Sequence, residues 1–546
     1  MLATKFLKKA SFDSYEDYIQ NGAPVVPENF NFAYDALDVI AADNPDAPAL
    51  LWTNDEGLRR SFSFRDISDL SNAAANVLAS RGIGRGDAVL LFLRRRWEYW
   101  IIMMALHKLG AVPIPSTSQL KAHDIKYRID LAGARHIIAF DDGHVMNEIK
   151  EAGQIPTDVS TIVAAMDHAP RTFGRVHTDN SDIMILYFTS GTTGMPKMVA
   201  HDFTYPLGHI STALFWQQLG DEDLHFALSE SGWAKCSWGK MYGQWLAGAC
   251  VFVYDFSGKF PPSDLLRTLS DNGISSFCAP PTVYKMLIRE NMDKYNLGAI
   301  KKADVAGEAL NPEVFRIFKN LTGVKMREGF GQTETTIMLF SNQWIEPKPG
   351  SMGMPAAGWD VRLLDEHGRP VETGEVGEIC VNIADGRPAG MMKEYYKNEK
   401  RTKEAFHGGF YHTGDVAYRD EDGYFWFVGR NDDLIKSSGY RISPFEVESV
   451  LLEHPSVKEV AVTGVPDAIR GMAVKATIVL NKFYHGTDVL VVQLQQHVKS
   501  RTAPYKYPRV IDFAETLPMT ISGKIKRAVI RAMDSVDKKI GDLLKK

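Results

Sequence analysis

The chain has 546 residues, and a single hydrophobic core rarely grows past about 250–300 residues, so we expect at least two domains. Hydrophobic residues make up 45% and charged residues 24%, which excludes a disordered or fibrous chain. The net charge of −5 gives no reason to expect a nucleic acid partner. The four cysteines form no CxxC pair, and no stretch approaches the ~20 apolar residues that span a bilayer. We therefore expect a cytoplasmic monomer or homodimer with no membrane span and no nucleic acid partner.

Helix and strand patterns alternate through the first two thirds of the chain. Apolar spacing predicts a helix from Ser63 to Ser80 and a second helix from Trp97 to Leu109. Short apolar runs predict buried strands at Val89–Phe92, Ile137–Phe140 and Ile183–Leu186. This alternation is typical of parallel sheets flanked by helices, so an α/β fold is predicted.

A domain boundary is predicted near residues 429–433, where a polar break follows an aromatic run. We interpret residues 1–431 as a large N-terminal domain of flanked β-sheets and residues 432–546 as a small α+β C-terminal domain on a hinge. Ser443 has the features of a helix N-cap, with Glu446 three residues later closing a capping box. Two strands and a helix complete the predicted small domain: Val460–Thr463, Val474–Val479 and a helix from about Asp488.

The strongest chemical signal is the segment Tyr187–Lys197, which follows an apolar strand. Its glycines let the backbone approach a ligand closely, and its N–H groups and hydroxyls can donate to phosphate oxygens. It is not a Walker A loop, because its lysine lies behind a proline and no Ser or Thr follows. A structural hairpin is the alternative for a turn of this composition. The candidate phosphate-binding residues here are Thr189, Ser190, Gly191, Thr192, Thr193, Gly194 and Lys197.

Seven further motifs accompany this loop in a fixed order: Ala306–Leu310, Glu328–Glu334, Gly374–Ile379, Tyr411–Asp415, Gly429–Arg430, Ser438–Arg441 and Pro518–Lys524. With the loop, they resemble the adenylate-forming superfamily of acyl- and aryl-CoA synthetases, adenylation domains and luciferases. The resemblance covers most of the chain, from about Phe62 to Lys524. It is closest to medium-chain acyl-CoA synthetases, through Ser231–Lys235 and Trp238–Lys240.

This resemblance implies an AMP-forming acyl-CoA ligase that uses ATP, Mg²⁺ and coenzyme A. A small to medium-chain carboxylic acid, straight or branched, attacks the α-phosphorus of ATP, and the CoA thiol then takes the acyl group and releases AMP. Both steps build charge on oxygen atoms, so the chemistry needs placed cations and hydrogen-bond donors. Three alternatives stay open: an adenylating enzyme that loads a separate carrier protein, an aryl-CoA ligase, and a nucleotide sensor without catalysis.

The resemblance also assigns residues around the nucleotide. In the resembling family Thr333 contacts the α-phosphate and Glu334 helps to hold Mg²⁺, a hard ion that a carboxylate suits. Gly307 and Phe330 border the adenine, with Glu308 beside them. Plain core packing is the alternative for Phe330.

Asp415 can accept hydrogen bonds from both ribose hydroxyls, and Arg430 would reach the ribose or a phosphate. The family motif assigns Lys524 to adenylation, where it neutralises charge between the carboxylate and the α-phosphate. Lys526 carries the same charge two residues away and serves as a control. Asp432 is the expected hinge about which the small domain rotates between the two steps.

The end of the chain is basic, with eleven Lys and Arg against five Asp and Glu from Arg501 onward. This stretch is either a solvated tail or part of a surface that meets an anionic ligand. By resemblance and by this charge, coenzyme A is expected on the small domain. The candidate CoA-binding residues are Gly439, Tyr440, Arg441, Arg470 and Lys506.

An acyl pocket is expected behind the segment Ser231–Trp238, because pockets of this kind are shaped by a few large side chains. The two tryptophans either cap a tunnel or belong to the core, and the lysine either reaches solvent or lies across the pocket and limits its depth. The candidate residues are Trp233, Lys235 and Trp238. Three histidines lack a metal-ligand spacing and are interpreted as structural or surface residues: His201, His209 and His225.

Overall fold

The chain forms two compact units. Unit 1 comprises Met1–Thr189, Lys197–Val361 and Asn382–Tyr411; unit 2 comprises Ser190–Pro196, Arg362–Val381 and His412–Lys546. The predicted domain boundary after residue 431 lies within unit 2 and stays a prediction. The computed structural model describes the following residues, with the backbone alone for Arg441: 1–189, 196–258, 261–308, 310–438, 440–467, 469–519 and 525–534.

The α-helices vary from single turns to 17 residues. In chain order they are α1 Tyr15–Asn21, α2 Val39–Asp43, α3 Phe64–Ser80, α4 Glu98–Leu109, α5 Ala122–Ala132, α6 Val145–Glu151, α7 Val159–Met166, α8 His209–Ser211, α9 Ala234–Lys240, α10 Tyr242–Leu246, α11 Pro262–Asp271, α12 Pro281–Leu287, α13 Pro312–Thr322, α14 Glu399–Ala405, α15 Pro444–Leu452 and α16 Asp488–Arg501. Residues 527–534 are also helical.

The strands alternate with these helices through most of unit 1. In chain order they are β1 Pro48–Asn54, β2 Arg59–Ser63, β3 Ala88–Phe92, β4 Val112–Pro115, β5 His136–Ala139, β6 Thr157–Asp158, β7 Ile183–Thr189, β8 Lys197–Asp202, β9 Leu224–Ala227, β10 Cys250–Asp255, β11 Ser276–Ala279, β12 Lys302–Ala306, β13 Met326–Gly331, β14 Ile337–Phe340, β15 Ser351–Pro355, β16 Val361–Leu364, β17 Gly377–Asn382, β18 Glu394–Tyr395, β19 Phe406–His407, β20 Phe410–Arg419, β21 Phe425–Arg430, β22 Ile435–Ser437, β23 Tyr440–Ile442, β24 Val457–Asp467, β25 Gly471–Leu480 and β26 Val510–Phe513.

Unit 1 contains three groups of paired strands. The largest runs in the order β15-β14-β13-β12-β11-β9-β10-β1-β2, and its strands from β13 to β1 are parallel to their neighbours. A second sheet, β4-β3-β5-β6, is parallel throughout, and a third, β18-β8-β7, is antiparallel. Helices α11, α12 and α13 each lie between successive parallel strands and bury leucines and aromatics against them. The α/β fold class predicted from the sequence is confirmed.

Local signals place the early elements of unit 1 where the sequence predicts them. Helix α3 begins after Ser63, whose hydroxyl accepts a hydrogen bond from the Asp66 N–H while the Asp66 carboxylate accepts one from the Ser63 N–H. Helix α4 ends at Gly110, which has a φ of 66° in the left-handed region that favours glycine. Trp97 is the N-cap of α4 rather than its first residue.

Unit 2 contains the strands β16-β17-β20-β21 and a second sheet, β23-β22-β25-β24, to which β26 pairs along β25. Its core lies between the second sheet and helices α15 and α16, where Val447, Leu451, Leu494 and Val498 are buried. Two expectations are wrong in detail. The predicted polar break at residues 429–433 starts two residues later, because Gly429 and Arg430 still belong to β21 and pair with β20.

The second correction concerns the predicted capping box of α15. The Ser443 hydroxyl accepts a hydrogen bond from the Glu446 N–H, as expected of an N-cap. The Glu446 carboxylate, however, accepts hydrogen bonds from Lys506 Nζ at 2.6 and 2.8 Å. A charged partner from elsewhere in unit 2 thus replaces the expected backbone donor.

Two general expectations concern composition. All four cysteines are unpaired and buried, which agrees with the absence of a disulfide framework. Among the described residues, no helix combines the length and the apolar character that crossing a bilayer requires.

Candidate active site

The predicted phosphate loop joins two paired strands of unit 1. Strands β7 and β8 are antiparallel, and Thr189 at the end of β7 faces Lys197 at the start of β8. Residues 190–195, which include the candidates Ser190, Gly191, Thr192, Thr193 and Gly194, lie outside the described residues. The hairpin alternative and the phosphate-loop interpretation are therefore compatible, since a connection between paired strands can also present backbone N–H groups.

Thr333 and Glu334 follow the end of β13 and are held by hydrogen bonds within unit 1. The Thr333 carbonyl accepts a hydrogen bond from His201 Nε2 at 2.7 Å, and the Glu334 carbonyl accepts one from the Met392 N–H at 2.7 Å. Burial lowers the pKa of His201 to about 3, so this ring is neutral and donates through its single proton. These contacts fix the backbone of the motif from both sides.

A tyrosine that the sequence analysis missed orients the Glu334 carboxylate. Tyr395 Oη donates a hydrogen bond to Glu334 Oε1 at 2.8 Å. Strand β18 pairs Tyr395 with Val199 of β8, and this brings the Tyr395 ring to 4.8 Å from Lys197 Nζ. Carboxylate, phenol and ammonium thus lie together, and a carboxylate with one oxygen already oriented is a suitable donor for Mg²⁺.

The expected adenine-bordering residues lie at the ends of neighbouring parallel strands. Gly307 directly follows β12, with a φ of 101° and open space where a side chain would stand. Glu308 is exposed and accepts a hydrogen bond from Thr282 Oγ1 at 2.6 Å. Phe330 is half-buried on β13, between glycines that pack closely. A side chain at Gly329 would meet Trp216 at 2.8 Å, so tight packing explains that glycine.

In unit 2, Asp415 and Arg430 are paired across strands β20 and β21. Their Cα atoms are partners in register, and Arg430 Nη1 lies 3.4 Å from Asp415 Oδ1. Asp415 is 5% exposed, and its N–H donates to Thr413 Oγ1 at 3.0 Å. Gly414 has a φ of 72°, and a Cβ there would lie 2.8 Å from Arg430 Nη2. Glycine is therefore needed for both backbone conformation and close approach. Arg430 Nε also lies 3.6 Å from the predicted hinge residue, Asp432.

Lys524 lies outside the described residues, but the helix that follows it is described. Arg527 Nη2 donates to both oxygens of Glu448, at 2.7 and 2.6 Å, and the Glu448 side chain is 7% exposed. Arg531 Nη1 donates to Asp433 Oδ1 at 2.6 Å. Asp534 in the same helix pairs with Lys475. Ion pairs along its length therefore hold the helix whose start lies closest to Lys524 in sequence.

Two of the candidate CoA residues, Tyr440 and Lys506, lie next to Tyr505 in unit 2, the first in ring contact and the second in sequence. Tyr440 stacks on Tyr505 with ring centroids 4.0 Å apart, and Lys506 Nζ lies 5.8 Å from the Tyr505 ring. The Arg470 carbonyl accepts a hydrogen bond from the N–H of Ser438, the residue before Gly439. Gly439 itself and the side chain of Arg441 lie outside the described part of the chain.

The acyl-pocket candidates lie on and before helix α9. Trp233 is the half-buried N-cap of α9, and the Trp238 ring lies 5.8 Å from that of Trp216. Lys235 Nζ lies 3.4 Å from the Ala306 carbonyl and 5.6 Å from the centre of the Trp238 ring. The lysine thus points toward the end of β12, the strand that leads into Gly307.

The sequence model of the AMP-binding enzyme family matches residues 37–396, and that of the AMP-binding enzyme C-terminal domain matches residues 446–524. The chain belongs to the AMP-binding enzyme family. This AMP-binding enzyme is 41% identical to "Acyl-coenzyme A synthetase ACSM3, mitochondrial" of Homo sapiens over 542 residues. The aligned region covers 95% of this chain and 92% of that relative.

Two solved structures extend the comparison. The anthranilate CoA ligase AuaEII in complex with anthranoyl-AMP has a TM-score of 0.84 and 28% identity, covering 93% of this chain and 98% of that one. An acyl-CoA synthetase of Brucella canis has a TM-score of 0.71 and 28% identity, covering 96% and 100%. The predicted enzyme class is confirmed: the protein is an ATP-dependent, AMP-forming acyl-CoA synthetase that uses Mg²⁺ and coenzyme A.

The three histidines of this AMP-binding enzyme are structural, in line with one of the two expected roles. All three are buried, and burial lowers the pKa of His225 to about 4 and that of His209 well below its usual range. His201 nevertheless positions Thr333, which no spacing signal indicated. Tyr395 carried no motif either, because it reaches Glu334 only through the pairing of β18 with β8.

Proposed function

We propose that the enzyme activates a small to medium-chain carboxylic acid, straight or branched, and transfers it to coenzyme A. The acid carboxylate attacks the α-phosphorus of ATP, giving an acyl-adenylate and pyrophosphate. The CoA thiol then attacks the acyl carbon, and the thiol proton passes to solvent. The bond between the acyl carbon and the bridging oxygen breaks, and AMP leaves with that oxygen. The acid is already ionised at neutral pH, so the first step needs no general base.

In this proposal the chain of contacts around Glu334 serves the phosphates. Thr333 and Lys197 contact phosphate oxygens, and Glu334 holds Mg²⁺ with the oxygen that Tyr395 does not occupy. The ion, when bound, neutralises charge on the phosphate oxygens. The half-buried carboxylate of Glu334, oriented by a neutral phenol and close to one ammonium, fits that hard cation.

The nucleoside contacts are proposed residue by residue from the family resemblance. Phe330 and Gly307 border the adenine, beside Glu308, and Asp415 accepts hydrogen bonds from the ribose hydroxyls. The loop residues Thr189 to Gly194 donate to phosphate oxygens. Arg430 supports this assignment, because its guanidinium lies against Asp415 and holds that carboxylate in place.

The acid's size class rests on one observation, the position of Lys235. Its ammonium lies between the Trp238 ring and the Ala306 carbonyl, which supports a pocket closed off at limited depth beside Gly307. A fitted pocket discriminates by about 1–3 kcal/mol per methylene, so activity should fall steeply beyond the preferred chain length. Trp233 and Trp238 form its remaining large walls in this proposal.

The test measures AMP and pyrophosphate release with and without CoA, over straight, branched and aromatic acids. Lys235→Leu and Trp238→Ala should shift the preferred acid towards longer or bulkier ones. The matched control is Lys400→Leu, because Lys400 on α14 is exposed. Lys240→Leu would not serve, since Lys240 is buried. Profiles that superimpose on the wild type in both pocket variants would remove this segment from the pocket.

An aryl-CoA ligase is the second candidate, and one observation favours it. The solved structure with the TM-score of 0.84 is an anthranilate CoA ligase with anthranoyl-AMP bound. In the same panel, a kcat/KM for benzoic or aminobenzoic acids above that of every aliphatic acid would establish this reading. Pyrophosphate release that does not depend on CoA, with no acyl-CoA formed, would instead favour a separate carrier protein.

The proposed CoA contacts are Gly439, Tyr440, Arg441, Arg470 and Lys506. The stacked pair of Tyr440 and Tyr505 beside Lys506 supports this surface, since an aromatic face next to a cation suits a nucleotide. Lys506→Glu should raise the KM for CoA and leave that for ATP unchanged. An unchanged KM for CoA in both Lys506→Glu and Arg441→Glu would place the CoA site elsewhere.

Asp432 is the proposed hinge between domains 1–431 and 432–546. Proline fixes φ near −65°, so Asp432→Pro should impair one half-reaction far more than the other. Equal losses in adenylation and thioester formation would argue against a hinge at this residue. The cytoplasmic location is likewise a proposal, because the relative described above is named as mitochondrial; cell fractionation with an antibody against the protein tests it.

A further inference from the structure

Three side chains that the proposed chemistry does not use converge in unit 2. Glu378 and Cys380 lie two residues apart on β17, so both project from the same face of that strand. His412 lies on the neighbouring strand, β20. Cys380 Sγ is 3.4 Å from His412 Nδ1, and His412 Nδ1 is 3.0 Å from Glu378 Oε2. The three potential ligand atoms all lie within 4.8 Å of one another.

These distances resemble the spacing of ligands around a single tetrahedral ion. Bond lengths of about 2.3 Å to sulfur and about 2.0–2.2 Å to nitrogen and oxygen separate sulfur from nitrogen by roughly 3.6 Å and nitrogen from oxygen by roughly 3.4 Å. Thiolate, imidazole and carboxylate suit Zn²⁺, whereas Mg²⁺ and Ca²⁺ prefer oxygen ligands alone. Three protein ligands leave a fourth position for water, as in many zinc sites.

A shared cation would satisfy all three groups at once. His412 Nδ1 faces both the thiol and the carboxylate. A metal ion would instead receive a lone pair from each of the three groups. The thiol proton then passes to solvent as the metal–sulfur bond forms.

The surroundings orient the cluster and leave it reachable. Glu378 Oε1 accepts a hydrogen bond from the Gly414 N–H at 2.9 Å, which directs Oε2 toward His412. The side chains of His412 and Glu378 are 16% and 22% exposed, so an ion can enter from solvent, while Cys380 is buried behind them.

We propose that Glu378, Cys380 and His412 form a binding site for Zn²⁺ or a similar borderline metal ion, and that its occupation weakens nucleotide binding. Gly414 would connect the metal site to the nucleotide site, because it binds Glu378, precedes Asp415 and lies against Arg430. An ion bound to Glu378 would add positive charge beside Gly414 and pull on the carboxylate that accepts the Gly414 N–H. The second half of this inference depends on the proposed role of Asp415, while the first half does not.

The first experiment measures metal binding directly in the full-length protein after treatment with a chelator. Calorimetric titration with Zn²⁺, and titration with Co²⁺ read through thiolate-to-cobalt absorption, are compared for the wild type, Cys380→Ser and His412→Gln. Removing a residue that only hydrogen-bonds to a metal ligand typically weakens metal binding by about 10–100-fold. Removing one of the three ligands themselves should weaken Zn²⁺ binding at least as much. Cys250→Ser removes another buried thiol and should bind as the wild type does.

Equal Zn²⁺ affinity in the wild type, Cys380→Ser and His412→Gln would overturn the site, as would the absence of a cobalt–thiolate band. Thermal unfolding of each variant without metal shows whether it has folded, and Glu378→Gln provides a further ligand variant with nearly the same shape.

The second experiment measures the KM for MgATP at free Zn²⁺ set by a metal buffer. We expect the KM for MgATP to rise with free Zn²⁺ in the wild type and to stay unchanged in Cys380→Ser. Chelation of ATP by Zn²⁺ is the same with both proteins, so it cannot produce a difference between them. Zinc binding with an unchanged KM would overturn the coupling alone. A failure of the proposed acyl-CoA synthesis would leave the direct binding result untouched.

Discussion

Two regions that contain candidate site residues, one in each unit, are supported by different kinds of interaction. In unit 1, neutral and largely buried groups hold the motif around Glu334: His201 binds Thr333, and Tyr395 binds the carboxylate. In unit 2, charge pairs dominate around Asp415 and the helix after Lys524. These pairs include Arg430–Asp415, Arg430–Asp432, Arg527–Glu448, Arg527–Asp433, Arg531–Asp433, Lys475–Asp534 and Lys506–Glu446.

This difference has physical consequences for how each region fails. A neutral buried hydrogen bond depends little on salt, whereas partly exposed ion pairs weaken as ionic strength rises. Removing one partner of a buried ion pair leaves the other charge stranded, which costs more than the pair contributes. We therefore expect substitutions in the buried ion pairs of unit 2 to destabilise it strongly, and substitutions near Glu334 in unit 1 to act mainly through the geometry of that carboxylate.

The largest effect is expected from Arg527→Ala, which would leave the Glu448 carboxylate buried without its bidentate partner. Losses of this kind cost about 3–5 kcal/mol in the free energy of unfolding. The helix at residues 527–534 also loses its contacts from Arg527 to Glu448 and Asp433, so adenylation should fall as well. Denaturant unfolding of the full chain, followed with a probe in unit 2, measures the change.

The matched control for Arg527 is Arg501→Ala. Arg501 pairs with Glu453 in the same unit at 2.7 Å, but their side chains are 58% and 32% exposed. Exposed pairs contribute roughly 0–1 kcal/mol, so this variant should unfold almost as the wild type does. Similar losses in the two variants would contradict the distinction between buried and exposed pairs.

Lys524→Ala should reduce the adenylation rate by about 10²–10³, the usual consequence of losing a contact that stabilises charge in a transition state. Thioester formation from supplied acyl-AMP should remain largely intact, because Lys524 is proposed to act only in the first step. Pyrophosphate release and acyl-CoA formation are measured separately. Lys526→Ala, at an exposed lysine two residues away, should leave both unchanged. Equal losses in the two half-reactions would remove Lys524 from adenylation.

The buried carboxyl of Glu328 in unit 1 is expected to make the free energy of unfolding depend on pH. Burial raises the pKa of this carboxyl from 4.5 to about 8, while its Oε1 accepts a hydrogen bond from the Leu310 N–H. Between these two values the folded state binds more protons than the unfolded one, so the stabilising contribution is lost as the pH rises. Glu328→Gln should reduce the loss of unfolding free energy between these pH values by a few kcal/mol, since one pKa unit corresponds to about 1.4 kcal/mol.

Unfolding free energies at about pH 5 and about pH 8 test this expectation. Glu313→Gln, on the exposed first turn of α13, provides the control and should keep the slope of the wild type. An unchanged slope in Glu328→Gln would mean that Glu328 is ionised in the folded protein.

Much of the fold was predictable because its signals are local. The N-cap at Ser63, the glycine that ends α4 and the apolar runs of β3 and β7 each act within a few residues. The capping box at Ser443 was only half right because the partner of Glu446, Lys506, lies 60 residues away in sequence. A long-range ion pair leaves no trace in a local pattern.

The candidate site shows the same limit. Motif residues such as Glu334 and Asp415 could be named from the sequence because the resemblance carried them. Their supports could not, since Tyr395 and His201 reach the motif only after β18 and β7 have paired with β8. These positioning residues are single side chains without a spacing rule, and only the folded sheet brings them together.

The smallest of these effects, Tyr395→Phe, is the most direct test of the neutral support in unit 1. The substitution removes one hydroxyl and keeps the ring that faces Lys197. A hydrogen bond to a charged acceptor contributes about 1.5–3 kcal/mol, part of which the carboxylate can regain from water, so kcat/KM for adenylation should fall about tenfold. The Mg²⁺ concentration at half-maximal rate should rise, because Glu334 is no longer held in one orientation. Tyr396→Phe changes the adjacent tyrosine and should alter neither quantity. A tenfold loss in Tyr395→Phe without any change in Mg²⁺ dependence would assign Tyr395 to phosphate binding through Lys197 instead of to Glu334.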